Sequence, residues 1–435
     1  MSFRGILAGG PPRPVAGRNS PLQDARLQKR DSSRRLIAGS AVIGSIGTFS
    51  LHVLLPALPA IAAAMHVAPH AAQLLISLSI LSIAAGNLMV APLSDRYGRR
   101  RIVLLALGLF VLGSAGGIVA KSLDALVAAR VVQAFGGGAA MSVMRATILD
   151  HFGPARAPSA LAATATAILF APMIAPTLGG LVLELLDWRA VFALSGVLGF
   201  AVFVFASRNL RDARRADPSA GPSLRYWSSY RRLLRSREYL AFLVYGSCMV
   251  SMIYTFVTGA PYVAIDLLGV SPSRFGLLLF FPAVASFAGF LLAARHTTRV
   301  GGQRMMRTGA MVAFAGTAAM SALALAGAWH PLALFIPGMA IGFANAIAAP
   351  SSTIGAISRD PEIAGAASGL FGFLQLVTAA VSTQVVAALT DRTPVPLALV
   401  LLVLCLVALL ALRPISRIRL QAEPVGEPAA SEPTR

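Results

Sequence analysis

Long apolar segments recur along the chain and leave few choices for its fold. Segments 71–90 and 102–120 contain no charged residue. A run of about 20 such residues crosses the roughly 30 Å hydrocarbon core of a bilayer as a helix. Strands of membrane barrels alternate apolar and polar residues instead, and these segments do not. The sequence therefore predicts an all-α polytopic membrane protein.

The composition supports the same class and excludes others. Only 12% of the residues are charged, whereas about a quarter are charged in soluble domains. The net charge of +20 does not indicate a nucleic-acid partner, because basic residues of polytopic proteins gather in cytoplasmic loops beside the lipid bilayer. Cys248 and Cys405 both lie in apolar segments, so neither a disulfide framework nor a metal cluster is expected.

Twelve membrane spans are predicted, and the basic residues orient them. The predicted spans are 36–58, 71–92, 102–120, 123–149, 159–184, 189–207, 239–262, 273–294, 305–327, 332–355, 363–389 and 395–413. If the N-terminus is cytoplasmic, the cytoplasmic segments hold 31 of the 37 Lys and Arg residues. This asymmetry predicts that both termini are cytoplasmic.

The span pattern divides the chain into five parts. We predict a disordered basic arm (1–35), a six-helix bundle (36–207), a cytoplasmic linker (208–238), a second six-helix bundle (239–413) and a disordered tail (414–435). Two interpretations of the aromatic and basic stretch 224–240 stay open. It forms either a helix on an anionic membrane surface or a solvated basic linker.

A basic turn after the second span is repeated after the eighth. SDRYGRRRIV at 94–103 aligns with TTRVGGQRMM at 297–306, and both copies keep two arginines and a glycine, Gly98 and Gly301. Duplicated halves of six spans are typical of one group of secondary transporters. The repeat therefore predicts two pseudo-symmetric six-helix bundles.

Several motifs carry a family resemblance that covers roughly residues 36–413. APLSDRYGRRR at 91–101 resembles motif A of the major facilitator superfamily, and RVVQAFGGGAA at 130–140 resembles its motif B. APMIAPTLGG at 171–180 resembles the antiporter motif. GAPYVAIDLLGVSPSRFG at 259–276 and AGAASGLFGFLQ at 364–375 are similar to the bicyclomycin-resistance (Bcr/CflA) drug:proton antiporters.

The resemblance implies a function and a mechanism. It implies a monomeric exporter in the bacterial inner membrane that moves small, mostly lipophilic drugs out in exchange for protons, by rocker-switch alternating access and without a cofactor. In motif A it implies a gate formed by Asp95, Arg96, Gly98 and Arg99 with Asp150 of the fourth span. Asp95 is expected to face the start of the eleventh span near 361–364, where a helix dipole favours negative charge, and Arg99 to pair with Asp150.

Arg130, Gln133 and His52 are the candidates for a central polar site. Arg130 lies in the fourth span, where a charge is costly. It either tunes a titratable group or holds an anion, or it bonds backbone carbonyls or snorkels to the interface. None of the seventeen Asp and Glu residues falls in the middle of a predicted span. Members of the family that the chain resembles usually have an Asp at the position of His52. His52 therefore either carries the transported proton or is a neutral structural histidine.

The fifth span is predicted to be a mechanical element. Pro172 and Pro176 remove backbone donors and should bend the helix, while Gly179 and Gly180 allow close approach of a neighbour. Ordinary helix packing explains the same residues. Aromatic, methionine and polar side chains that would suit the wall of a drug-binding cavity are also present. They are Phe49, Met141, Met173, Tyr254, Phe281, Asn345, Phe373 and Gln375.

Other functions fit less well. The chain has no Walker motif, no HExxH and no CxxC, so an ATP-driven pump or an enzyme is not expected. A membrane sensor or scaffold would not need a duplicated basic turn. A metabolite exporter or facilitator of the same fold, with weak or no proton coupling, stays open, because no carboxylate is predicted inside the membrane.

Overall fold

The computed structural model describes residues 21–210, 225–358, 363–389 and 393–416. Within these ranges all regular elements are helical, and 12 helical segments are long and apolar enough to cross a membrane, which confirms the predicted spans. Spans 1 to 12 are Leu36–Ala64, Pro69–Val90, Arg99–Val119, Leu123–Gly153, Ser159–Leu185, Trp188–Asn209, Arg237–Leu267, Pro272–Val300, Gly302–Leu325, Pro331–Ile357, Gly365–Leu389 and Val395–Ser416.

Some spans are built from more than one helix. The helices are Pro21–Val53, Leu58–Ala64, Pro69–Ala72, Leu74–Tyr97, Arg99–Val119, Leu123–Ile168, Ala171–Leu185, Trp188–Asn209, Arg225–Arg235, Arg237–Pro261, Pro272–Val300, Gly302–Leu325, Pro331–Ile357, Ala364–Leu389 and Val395–Ser416. A 3-10 turn, Leu55–Ala57, lies in span 1, and a π-helical turn, Tyr262–Leu267, ends span 7. Leu123–Ile168 runs through spans 4 and 5 and is kinked at Gly153.

The first helix extends beyond the span predicted for it. It begins at Pro21, because no glycine or proline interrupts residues 22–38, so the predicted boundary at residue 36 is not a helix end. The remaining part of the predicted arm, 1–20, lies outside the described residues. The helix stops at Val53, just before Pro56, which lacks a backbone donor.

The predicted linker and tail are described only in part. Span 6 continues to Asn209, and Arg225–Arg235 is a helix that lies before span 7. Leu233 of this helix is buried in the main apolar cluster, which also includes Tyr239, Phe256 and Phe371. Residues 211–224 of the linker and 417–435 of the tail lie outside the described ranges.

The two sets of six spans use the same packing partners. Span 4 packs against spans 1, 2 and 3, and span 10 packs correspondingly against spans 7, 8 and 9. Spans 3 and 6 are in contact, as are spans 9 and 12. This repetition confirms the predicted pair of pseudo-symmetric six-helix bundles.

The duplicated turn has the same backbone shape in both halves. Gly98 joins spans 2 and 3 with φ 95° and ψ 137°, and Gly301 joins spans 8 and 9 with φ 87° and ψ 141°. A side chain at such a positive φ would be strained, so glycine is required at both positions. The sequence repeat therefore corresponds to a structural repeat.

The halves meet mainly through two pairs of spans. Span 5 packs on span 8, and span 2 packs on span 11. We name the two ends of the bundle by acidic residues. Span 5 ends and span 8 begins at the Glu184 end, and span 2 meets span 3 at the Asp95 end. The distribution of basic residues predicts that the Asp95 end is cytoplasmic.

Candidate functional site

A cavity of about 270 Å³ lies between the two halves. Spans 1, 2 and 4 of the first half and spans 7 and 11 of the second contribute its walls. Four of the predicted pocket residues line it: Met141, Tyr254, Phe373 and Gln375. A cleft at the interface of two bundles is a usual location for a small-molecule site.

The other predicted pocket residues lie elsewhere. Phe49 packs against the main apolar cluster, and Met173 is buried in span 5. Asn345 has a buried Oδ1 without a hydrogen-bond partner among the described residues, and it does not line the cavity. Phe281 is 48% exposed and is also absent from the cavity wall. Their residue types fit a drug pocket, but type alone does not specify the helix face.

The cavity contains one charged residue that sequence reasoning left without a role. Arg145 lines it, and its Nη2 lies 3.6 Å from the Sδ atom of Met141. Asn87 and Thr48 are further polar lining residues that were not predicted. The sequence did contain a signal for Arg145. It follows Met141, a predicted pocket residue, by four residues and therefore lies on the same face of the helix.

Arg130 is fully enclosed beside the cavity rather than in it. Its side chain is 1% exposed, which shows that the snorkelling interpretation is wrong. Nη2 donates to the carbonyl oxygen of Ser50 at 2.9 Å, and Nη1 donates to Gln133 Oε1 at 2.5 Å. Nη1 also lies 3.4 Å from Ser50 Oγ. The guanidinium therefore joins span 4 to span 1.

Gln133 extends the same network to span 3. Its Nε2 donates to Ser114 Oγ at 2.7 Å, and that hydroxyl donates to the carbonyl oxygen of Phe110 at 2.8 Å. In the part of the chain that the structure describes, the ion pairs do not include Arg130, and its Nε has no partner. A buried cation is thus held by neutral groups alone, an arrangement with a large desolvation cost.

His52 lies at the end of the first helix, just before the break in span 1. Its Nδ1 is 2.8 Å from the carbonyl oxygen of Thr48. A carbonyl only accepts, so Nδ1 carries a proton and Nε2 is the atom free to gain or lose one. His52 does not line the cavity, although Thr48 and Leu51 on the same helix do.

The basic turn at the Asp95 end contains a chain of ion pairs. Arg99 Nη2 lies 2.5 Å from Asp95 Oδ1, and Arg99 Nε lies 3.0 Å from Asp150 Oδ2. The predicted Arg99–Asp150 pair is therefore formed. Arg99 also donates to Ser94 Oγ. Arg96 stacks on Tyr97, with Cζ 5.5 Å from the ring centre.

Part of the predicted gate falls outside the described residues. Asp95 is expected to contact the chain near 361–364, and residues 359–362 lie outside the described ranges. In the described part, Asp95 is 42% exposed and is paired within its own half of the molecule. The gating role of motif A therefore stays a prediction.

The antiporter motif lies where the two halves touch most closely. A helix break at Leu169 and Phe170 precedes Pro172, and Pro176 lies inside the next helix. A Cβ atom added to Gly179 would lie 2.0 Å from the carbonyl oxygen of Val53 in span 1.

Gly180 makes the equivalent contact with the second half. A Cβ there would lie 2.3 Å from the carbonyl oxygen of Pro272 in span 8. Gly276 makes the reciprocal approach, because its Cβ would lie 2.4 Å from the carbonyl oxygen of Pro176. Spans 5 and 8 are therefore in backbone contact. The two glycines of span 5 predicted such a close approach without identifying the neighbouring helix.

Polar contacts join the halves at the Glu184 end, and the sequence did not predict them. Gln384 Nε2 donates to the carbonyl oxygen of His70 at 2.9 Å, and its Oε1 accepts from Ser77 Oγ at 3.1 Å. Tyr262 donates to the carbonyl oxygen of Pro69 at 3.2 Å. The backbone N–H of Ser273 donates to Glu184 Oε1 at 3.0 Å. The Glu184 end of the bundle is therefore closed.

Comparison with known proteins places these features in a family. The family model described as Major Facilitator Superfamily matches residues 40–383. The bicyclomycin resistance protein homolog of Haemophilus influenzae is 24% identical, with 85% of this chain and 93% of the relative aligned. Multidrug resistance protein D of Escherichia coli is 25% identical, with 91% and 100% aligned. These relatives confirm the resemblance inferred from the motifs.

A solved structure confirms the fold. The bacterial homolog of the human lysosomal transporter Spinster, crystallised inward-facing and unoccupied, superimposes with a TM-score of 0.67. The two chains are 15% identical, and 87% of this chain and 95% of the other are covered. The 12 spans and the bacterial relatives identify a multi-pass protein of the bacterial inner membrane that is not an enzyme. The chain belongs to the major facilitator superfamily and is a transporter of small molecules.

Proposed function

We propose that the protein exports small, mostly lipophilic compounds from the cytoplasm in exchange for protons, by rocker-switch alternating access. The observation that carries this proposal is the cavity between the halves, closed by backbone contact at the Glu184 end. The close backbone approach at Gly180 and Gly276 lets two rigid bundles seal one side and later separate. The names of the bicyclomycin and multidrug resistance relatives support export of antibiotics.

In this proposal the structure corresponds to the inward-facing state. Basic residues predict a cytoplasmic Asp95 end, so closure at the Glu184 end closes the outer side. Asp95 is then released from the second half and pairs with Arg99. In the outward-facing state Asp95 contacts the start of span 11 and holds the inner side shut.

Proton coupling is assigned to His52. Its Nε2 is the one ring nitrogen not committed to the backbone, and the side chain lies one helical turn from Thr48 of the cavity wall. An imidazole titrates near neutral pH, so it binds a proton on the acidic side and loses it on the other. A facilitator of the same fold is the second candidate, since the described cavity wall contains no carboxylate.

Transport in proteoliposomes tests the proposal. Purified protein is reconstituted, a pH gradient is imposed, and uptake of radiolabelled bicyclomycin is followed with and without a proton ionophore. Antiport predicts accumulation above equilibrium that collapses with the ionophore. Equilibration that ignores the gradient would instead identify a facilitator.

Replacing His52 by Ala is expected to abolish gradient-driven accumulation, because the proton-binding nitrogen is lost. The matched control is His296→Ala, since the Nδ1 of His296 also contacts the carbonyl oxygen four residues before it, at 3.2 Å, outside the cavity. Proton release is measured with a pH-sensitive dye upon substrate addition. Unchanged pH-dependent export by His52→Ala would remove His52 from the mechanism.

Replacing Asp95 by Asn is expected to slow export several-fold while protein folding and insertion are unaffected. Asp95 is substantially exposed, so its pair with Arg99 contributes at most about 1 kcal/mol to stability. The charge is needed in the opposite conformation, at the start of span 11. Initial export rates are compared with those of Asp124→Asn, an exposed acid at the other end of the bundle. Normal export by Asp95→Asn would show that the basic turn only orients the spans in the membrane and has no gating role.

A further inference from the structure

The described wall of the cavity carries a positive charge and no negative charge, and the proposed function does not explain this imbalance. Arg145 is the one charged side chain among the described residues that line it. The residue lies within span 4 rather than in a loop, so a simple topology signal does not account for it. Charged residues inside membrane spans are costly and usually mark substrate or ion pathways.

The charge of Arg145 has no anionic partner among the residues that the structure describes. Its one hydrogen-bond contact among the described residues is with the Sδ atom of Met141, and a thioether is a weak acceptor. The ion pairs of the described chain, both at the basic turn, do not involve it. The guanidinium is therefore available to a ligand in the cavity.

Neutral polar groups on other spans face the same space. Tyr254 of span 7 and Gln375 of span 11 line the cavity and have no hydrogen bond to another described residue. Asn87 of span 2 also lines it, and its buried Oδ1 has no hydrogen-bond partner in the described part of the chain. Phe373 and Leu376 provide apolar wall beside them. The cavity thus offers a cation, two neutral side chains that can donate, Tyr254 and Gln375, and an apolar surface.

We propose that this cavity selects lipophilic anions, in which a carboxylate or sulfonate group binds Arg145 and an aromatic or aliphatic body packs on the apolar wall. A guanidinium binds such groups with paired, charge-assisted hydrogen bonds. A cationic compound would meet repulsion from Arg145 without a compensating carboxylate on the described wall. The inference rests on the proposed export function, of which it specifies the substrate class.

Equilibrium binding to the purified full-length protein tests this selectivity with three probes of one scaffold. They are 2-naphthoate, 2-naphthamide and 2-naphthylmethylammonium, which are anionic, neutral and cationic. Equilibrium dialysis is run with the wild type, Arg145→Gln and Arg145→Lys at one pH and without a gradient. The wild type should bind the anion at least about tenfold more tightly than the cation, the factor that one charge-assisted contact supplies.

The variants identify the source of any preference. Arg145→Gln should lose the preference for the anion, and Arg145→Lys should keep most of it, because the positive charge remains. Equal or tighter binding of the cation by the wild type would overturn the inference. So would an unchanged anion preference in Arg145→Gln, provided that thermal unfolding shows both proteins to be folded.

The outcome is separable from that of the proposed function. Binding is measured without a proton gradient, so an Arg145-dependent anion preference can be found in a protein that fails gradient-driven transport. Conversely, proton-coupled export of bicyclomycin together with a preference for the cationic probe would support the function and refute the inference.

Discussion

Replacing Arg130 by Met is expected to reduce transport at least about tenfold and to change the free energy of unfolding by no more than about 2 kcal/mol. The substitution removes the hydrogen bonds to Ser50 and Gln133, worth about 1.5–3 kcal/mol each when charge-assisted. It also removes a buried, unpaired cation whose desolvation costs several kcal/mol. These terms oppose each other, so the free energy of unfolding should change by no more than about 2 kcal/mol.

Transport is expected to respond differently, because the guanidinium holds Ser50 of span 1, which lies between the cavity-wall residues Thr48 and Leu51. We expect gradient-driven uptake to fall at least about tenfold, which corresponds to about 1.4 kcal/mol in the limiting step. The unfolding temperature in detergent and uptake in proteoliposomes are measured on the same preparation. A variant that fails to fold would show that Arg130 is needed for stability. A variant that transports normally would show that its charge is not needed for transport.

Arg130→Lys separates charge from shape. An ammonium is a point charge that does not span Ser50 and Gln133 in the way that the planar guanidinium does. Restored uptake in this variant would assign the effect to the charge. Continued loss would assign it to the link between spans 1, 4 and 3.

Replacing Gly180 by Ala is expected to open the Glu184 end and stop export. The new Cβ would lie 2.3 Å from the carbonyl oxygen of Pro272, and a contact under 3.0 Å requires the helices to move apart. The atoms nearest to that Cβ belong to the backbone of Pro272 and Ser273, so no flexible side chain can give way there. The closed state loses stability while the opposite state does not, and each 1.4 kcal/mol shifts the populations about tenfold.

Cysteine labelling detects this shift directly. A Ser273→Cys reporter at the start of span 8 is modified with a membrane-impermeant maleimide, and the native Cys248 and Cys405 are buried. Labelling should be several-fold faster when Gly180→Ala is added. The control is Gly108→Ala in span 3, where no atom of the described residues lies within 4 Å of the added Cβ. Equal labelling rates in the two variants would show that the seam tolerates a methyl group.

The span count and the duplication could be predicted because both depend on signals local in sequence. An apolar run of sufficient length forms a membrane helix whatever its neighbours are. Gly98 and Gly301 mark the same turn in each half, because each must adopt a positive φ. The Arg99–Asp150 pair was predicted from a motif whose partners lie at the same end of adjacent spans.

The faces of the helices could not be predicted in the same way. Lipid-facing and interior positions of a membrane helix are both apolar, so hydrophobicity does not separate Phe281 from Phe373. Contacts between distant spans, such as Gln384 with His70, depend on the relative rotation of two helices. The role proposed for Arg145 could not be predicted from the sequence, because it depends on which spans share the cavity.

The repeated turn records how the two halves diverged. Gly98 and Gly301 keep one backbone geometry, whereas Thr298 and Gly302 stand where the first copy has Asp95 and Arg99. Both copies thus retain the bend, whereas only the first copy has the acid, Asp95, and its arginine, Arg99. Two identical subunits encoded by one gene would have to keep or lose such charges together. In a fused chain each copy mutates alone, so the duplication lets the chain keep the same turn in both halves while only the first half carries the Asp95–Arg99 pair.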